Sequence, residues 1–279
     1  MKVLLRRGAL GDVVLLGAVT SRIGPCVVVT DPRWVPLAGR LRGVVSALPW
    51  PEIPAGEVFD LQGSLGSRWL APTAARIDKR SIRRRLRLLW SGFPARPPVP
   101  ALYGEACGVL PAPPPWFDLP LLPRDALALI PGAAFGAKRW RPERFAAVGR
   151  AWEGPVVVLG GPGEERLVDQ VAAGVPGAEP IVEVGFARTL EVLARTRVAV
   201  AGDTGLMHLA GAAGAAVVAL FGPTHPSDGF FVYPGGFVQR ELWCRPCTLH
   251  RRERCPLGHH RCMDLTPEAV NAVIRACAG

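Results

Sequence analysis

At 279 residues, with 49% apolar and 20% charged side chains, the chain can bury one large or two medium cores and is too apolar to be disordered. Its formal charge of +10 points to anionic partners, although only Lys2, Lys79 and Lys138 are lysines, and an arginine excess fits codon bias or a thermophilic source equally well. No apolar run reaches the roughly 18 residues of a membrane span, and Arg6, Arg7 and Asp12 interrupt the first one, so it reads as a strand and helix of a cytoplasmic protein rather than as a signal peptide.

In chain order, residues 2–6 form an apolar strand that runs into the loop Arg7-Gly8-Ala9-Leu10-Gly11-Asp12. A helix is expected over 13–21 with Asp12 as its N-cap. Strands follow at 26–30 and 44–48, and Phe59-Asp60-Leu61-Gln62-Gly63-Ser64 reads as another strand entering a polar turn and a helix over 65–70. Gly8 and Gly11 do not make a dinucleotide fingerprint, since the third glycine and the ribose-binding acid are missing. Prolines then crowd residues 93–123, with room only for a short helix at 101–110; this stretch reads as a semi-rigid interdomain connection. A second α/β block begins with a strand at 126–130, a loop carrying Lys138 and Arg139, and a helix over 142–152. It continues with a strand at 155–159, a glycine-rich turn ending in Glu164-Glu165, a helix over 164–173, a strand near Val182 and a helix over 189–196. Residues 197–226 complete a βαβ unit whose turns, Gly202-Asp203-Thr204-Gly205 and Gly222-Pro223-Thr224, lie at the carboxyl ends of its strands. Ligands of open α/β sheets bind at that edge, and helix N-termini there offer free N–H groups to anions. Either Asp203 or Thr204 can cap this helix, with His208 in its first turns and Met207 facing the core.

LGDVVL, DLQGSLGSRWL, IPGAAFGAKRW, LGGPGEE and AGDTGLMHLAGAAGAAVVALFGPT stand in this order between residues 10 and 224. In this combination the chain resembles glycosyltransferase family 9, the heptosyltransferases of lipopolysaccharide core assembly. The resemblance implies an α/β GT-B fold, two Rossmann-like doubly wound domains facing across a cleft. The corresponding plan is an acceptor-binding domain at 1–123 including the proline-rich hinge, a donor-binding domain at 124–265, and a C-terminal helix at 266–279, which in GT-B proteins often packs back across the cleft.

A transferase of this kind must hold a nucleotide diphosphate, activate an acceptor hydroxyl and stabilise the leaving group. Lys138 is a cation suited to the leaving diphosphate, and the resemblance matches it to the family's donor-phosphate lysine. Thr204 and Gly205 would bring backbone N–H groups to the same phosphates. Asp203 either caps the helix or accepts a donor sugar hydroxyl; His208 is structural or, by the resemblance, approaches the phosphates or sugar. Glu164, or its neighbour Glu165, matches an acid that holds the nucleoside ribose. Asp12 is a helix cap on the residues alone and the general base by the resemblance. Gln62, Ser64, Arg80 and Arg84 are candidates for an anionic acceptor such as a phosphorylated, Kdo-bearing glycolipid, against the alternative of a solvated helical face.

Cys26, Cys107 and Cys277 are isolated and read as small buried residues, whereas Cys244, Cys247, Cys255 and Cys262 form a C-x2-C-x7-C-x6-C cluster. Structural zinc or iron–sulfur, disulfides in a thermophilic cytosol, and free thiols are all compatible with that spacing. The expected function is inverting transfer of a heptose from ADP-heptose to a lipopolysaccharide core or other surface glycan, by a monomer that needs no catalytic metal and works in the cytoplasm or on the inner membrane's cytoplasmic face. Its competitors are a GT-B transferase using another nucleotide sugar, such as a UDP-sugar, and a metal-bearing nucleic-acid-binding protein. Neither concentration of basic residues, at 79–87 or at 251–261, has the interleaved aromatics of a single-stranded nucleic-acid platform, and no nucleic acid is expected.

Overall fold

The computed structural model describes residues 1–78, 96–248 and 253–278. They divide into two compact units, Met1–Asp118 with Gly229–Phe231, and Leu119–Asp228 with Val232–Gly279. Among the described residues no helix is long and apolar enough to cross a membrane.

The described part of unit 1 runs β1 Lys2–Leu5, α1 Leu10–Val14, α2 Gly17–Ile23, β2 Cys26–Thr30, α3 Val35–Ala38, β3 Val44–Pro49, β4 Glu57–Asp60, α4 Leu65–Leu70, β5 Ala75–Arg76 and α5 Val99–Cys107. The sheet order is β3-β2-β1-β4-β5, and every pairing is parallel. All five residues of β2 are buried, as expected of a parallel strand covered on both faces. Leu5, the last residue of β1, pairs with Val29 on one side and Asp60 on the other. Strand order reverses between β1 and β4, so the loops after them flank a topological switch point.

The expected helix over 13–21 is instead two short helices. α1 starts at Leu10 with Ala9 as its N-cap and no side-chain cap, which puts Asp12 inside the first turn and rules out the capping role. α2 restarts at Gly17, where the Trp116 side chain lies so close that a Cβ would overlap it. Trp116, Phe117 and Tyr103 are all buried in unit 1, so α5 and much of the proline-rich stretch belong to its core.

In unit 2 the order is β6 Ala126–Ile130, α6 Pro142–Arg150, β7 Val156–Gly160, α7 Glu165–Ala173, β8 Glu179–Val182, α8 Gly185–Ala194, β9 Thr196–Gly202, α9 Gly205–Ala212, β10 Ala216–Phe221, β11 Gly235–Gln239 and α10 Pro267–Ala278. The sheet is again wholly parallel, in the order β11-β10-β9-β6-β7-β8. Its switch point lies between β6 and β9, with β7 next to β6. Strand β11 has no counterpart in the sequence reading. It opens on Gly235-Gly236, a pair unfavourable to strands, yet a Cβ at Gly235 would overlap the Val217 backbone of β10. Helix α10 packs on β11 and α6 within unit 2. The segment before it is pinned by Trp140 Nε1 donating to Leu265 O at 3.0 Å and by Arg144 Nη1 donating to the same carbonyl at 2.8 Å.

Candidate active site

The residues expected to bind the donor sit on the loops after three adjacent strands of unit 2, β9, β6 and β7. After β6, Gly136–Lys138 makes a single 3-10 turn. Gly136 N donates to Glu253 Oε2 at 3.0 Å, and His260 Nε2 donates to Ala137 O at 2.7 Å, so the loop is clamped from the C-terminal region. Lys138 Nζ thereby reaches Asp203 Oδ2 after β9 at 2.5 Å, with the two side chains only 10% and 8% exposed. The ion pair spans the switch point. Arg139 is exposed and its guanidinium turns back to Ala133 O at 3.4 Å.

Thr204 decides the capping question at α9. Its backbone is extended and its Oγ1 accepts from Met207 N at 3.3 Å, so Thr204 is the N-cap and Asp203 is left to Lys138. Met207 is buried in the core. His208 is buried as well, with Nδ1 3.2 Å from the hydroxyl of Tyr233. Burial pushes the Tyr233 phenol well above its ordinary pKa, which keeps that hydroxyl protonated. Its ring lies against Gly211, where a Cβ would overlap it.

Between Glu164 and Glu165 the structure draws a distinction. Glu164 is the residue before α7, and its Oε2 accepts from Gly161 N at 2.8 Å, inside the turn after β7. Its carboxylate also lies against Gly132, the residue after Pro131 at the end of β6, where any Cβ would overlap it. Glu165 points instead to Gly163 N at 3.0 Å and is exposed. Glu164 is therefore the acid held between the loops of β6 and β7.

In unit 1 the loops after β1 and β4 are tied together across their own switch point. Gln62 Oε1 accepts from Arg7 N at 3.1 Å and Gly8 N at 3.2 Å, and Trp34 Nε1 donates to Gly8 O at 3.2 Å. Asp12 Oδ2 lies 2.5 Å from Arg6 Nη2, while 31% of the Asp12 side chain remains exposed. Ser64 caps α4 in a reciprocal box with Ser67: Ser67 N donates to Ser64 Oγ at 3.2 Å and Ser64 N donates to Ser67 Oγ at 2.9 Å. Arg80 and Arg84, together with Lys79, Arg83 and Arg85, lie outside the described residues.

The family model for glycosyltransferase family 9 (heptosyltransferase) matches residues 109–249. This chain belongs to glycosyltransferase family 9. It is 31% identical over 169 residues to lipooligosaccharide heptosyltransferase 2 of Campylobacter jejuni, a match spanning 55% of this chain and 52% of the relative, about half the length of each. E. coli heptosyltransferase WaaC with ADP is similar at a TM-score of 0.70 and 18% identity over 100% of both chains. E. coli ADP-heptose lps heptosyltransferase II gives 0.69 and 18%, over 100% of this chain and 98% of that one. At such identities the likeness speaks to the fold, which is GT-B with two Rossmann-like units.

No disulfide joins the seven cysteines in this structure. Burial pushes the Cys262 thiol up to about 11, with the neighbouring Cys247, Cys255 and Cys244 adding to the rise and Arg245 opposing it. Partial burial also works to raise Cys255, but the backbone amides of His260, Leu257, His259 and Gly258 outweigh it and bring that thiol below its ordinary value. Among the described residues no three His, Cys, Asp or Glu side chains are arranged to hold a metal ion. The zinc or iron–sulfur alternative for Cys244, Cys247, Cys255 and Cys262 thus has no ligand set among the described residues. Arg6, Tyr103 and Tyr233 escaped the sequence reading. Arg6 alone carried a signal, as a cation following the apolar run of β1.

Proposed function

We propose that this chain is an inverting glycosyltransferase that moves a heptose from ADP-heptose onto a lipopolysaccharide core or other cell-surface glycan, at the cytoplasmic face of the inner membrane. The observation that carries this reading is the Lys138–Asp203 pair at the switch point of unit 2, beside the N-terminus of α9 and the buttressed Glu164. ADP in WaaC and ADP-heptose in heptosyltransferase II are the nucleotides those relatives' names carry, and they support the choice of donor.

In the proposed reaction Lys138 neutralises the diphosphate as it leaves, and N–H groups at Gly205 and its neighbours take the remaining phosphate charge. Glu164 accepts from the ribose hydroxyls, Asp203 from a hydroxyl of the donor sugar, and His208 supports the donor site through Tyr233. Asp12 removes the proton from the acceptor hydroxyl while its oxygen bonds to the anomeric carbon and the bond to the diphosphate breaks. One displacement inverts the configuration, and no cofactor is required beyond the donor. Gln62 and Ser64 shape the acceptor side by holding the loops after β1 and β4; Arg80 and Arg84 meet acceptor phosphates. The enzyme works as a monomer.

Turnover with ADP-heptose, measured beside UDP- and other nucleotide sugars, tests the reading. ADP-heptose alone should support transfer and raise the melting temperature. A UDP-sugar that does both in its place would move the protein to the competing donor class, and stabilisation by nucleic acid alone would remove it from the transferases.

A further inference from the structure

We propose that Arg6 is the positioning residue for the general base, holding the Asp12 carboxylate ionised and aimed; this inference rests on the assignment of Asp12 as the base. Arg6 follows β1 directly, and its guanidinium is buried. Nη1 donates to Leu61 O, just after β4, at 2.9 Å, while Nη2 meets Asp12 Oδ2 at 2.5 Å. One rigid fork therefore spans the switch point and ends on the base. Its Nε is buried without a partner, a pattern that a purely stabilising ion pair does not favour, because each unspent donor adds to the desolvation cost.

Asp60 is the obvious competitor for this cation, and it is already occupied. It is fully buried, accepts from Gln62 N, Gly63 N and Ser67 Oγ, and pairs with Arg76 at 3.4 Å. Arg6 is thus directed to Asp12. Burial works against its charge, but Tyr103, Asp12 and Asp60 outweigh that and hold the guanidinium above its ordinary pKa. The buried Tyr103 fixes the same residue from another side: its ring lies 5.9 Å from the Arg6 guanidinium carbon, and its hydroxyl donates to the Asp12 carbonyl at 3.2 Å. Gly8 completes the fit, since a Cβ there would stand 2.8 Å from Arg6 Nε and 2.9 Å from Asp12 Cβ.

A nearby cation lowers the proton affinity of a carboxylate, so removing it raises the pH at which the base becomes protonated. The test combines Arg6→Met, Arg6→Lys and Asp12→Asn, read by the pH profile of kcat/KM with ADP-heptose and a Kdo-bearing lipid A acceptor. The Asp12 carboxyl is also titrated by carbon NMR in aspartate-labelled protein, with Asp12→Asn supplying the resonance assignment. Arg6→Met should move both the acid limb and the carboxyl titration up by about one pH unit, with ADP affinity unchanged. Arg6→Lys should restore the titration yet leave kcat about tenfold low, because a point charge cannot also hold Leu61 O. If Arg6→Met does not fold, Arg6→Lys decides alone, and wild-type kcat in that variant overturns the proposal. An unshifted titration in Arg6→Met overturns it as well. Retained turnover in Asp12→Asn would instead remove the base assignment, while the NMR titration still reports whether Arg6 governs Asp12.

Discussion

Lys138 and Asp203 form a buried ion pair at the proposed donor site. An ion pair in which both side chains are almost entirely buried contributes little net stability, because desolvation offsets the attraction. Its value lies in presenting a charged amine at the end of β6. Lys138→Ala should weaken ADP binding by about tenfold to a hundredfold, the worth of a hydrogen bond to a charged group. Calorimetry with ADP checks it, and unchanged affinity would take Lys138 out of the phosphate site. Glu164 gives a second test through its neighbour. Gly132 does not have a positive φ, so alanine is tolerated by the backbone and acts only by displacing the carboxylate. Gly132→Ala should therefore reduce ADP affinity about tenfold with little change in melting temperature; a loss of stability with affinity intact would make Glu164 a turn residue.

At the scale of elements, α9 separates two roles that the sequence leaves entangled. Thr204 Oγ1 accepts from Met207 N, so the hydroxyl serves the helix, and in the proposed donor site the first backbone N–H groups of α9 serve the ligand. Thr204→Val should cost about 1 kcal/mol, a fall of a few degrees in melting temperature, while leaving ADP affinity within about threefold. A much larger loss of affinity would show the hydroxyl touching the donor. The strands of both sheets were legible because buried parallel strands read as unbroken apolar runs ended by polar turns, as at 26–30, 126–130 and 216–221. Strand β11 was not, because it opens on two glycines, of which Gly235 lies against the Val217 backbone of β10 and Gly236 faces Val273 of α10. The helix cap assigned to Asp12 failed for a related reason: local pattern favours a carboxylate at that position, whereas α1 begins two residues earlier and the carboxylate pairs with Arg6, while Tyr103, far along the chain, holds the Asp12 main-chain carbonyl. Gln62 was a candidate for the acceptor on its sequence alone; in the structure its Oε1 accepts from Arg7 N and Gly8 N and holds the loop after β1.

For the whole molecule, the order of motifs from residue 10 to 224 identified family and fold together, which no single motif did. The two units repeat one device, a parallel sheet with a switch point whose flanking loops are cross-linked by side chains: Gln62 and Arg6 in unit 1, Lys138 and Asp203 in unit 2. The net charge of +10 belongs at this scale as well. If it serves an anionic acceptor, raising the salt concentration should increase the acceptor KM more than it weakens ADP binding, since exposed charges are screened and the buried Lys138 is not. In the proposed mechanism donor binding belongs to unit 2 and proton removal to unit 1, and Asp12→Asn separates them. Transfer from ADP-heptose should fall by about a thousandfold, with the ADP dissociation constant within about twofold of wild type. Turnover within tenfold of wild type, or ADP affinity lost along with turnover, would contradict it.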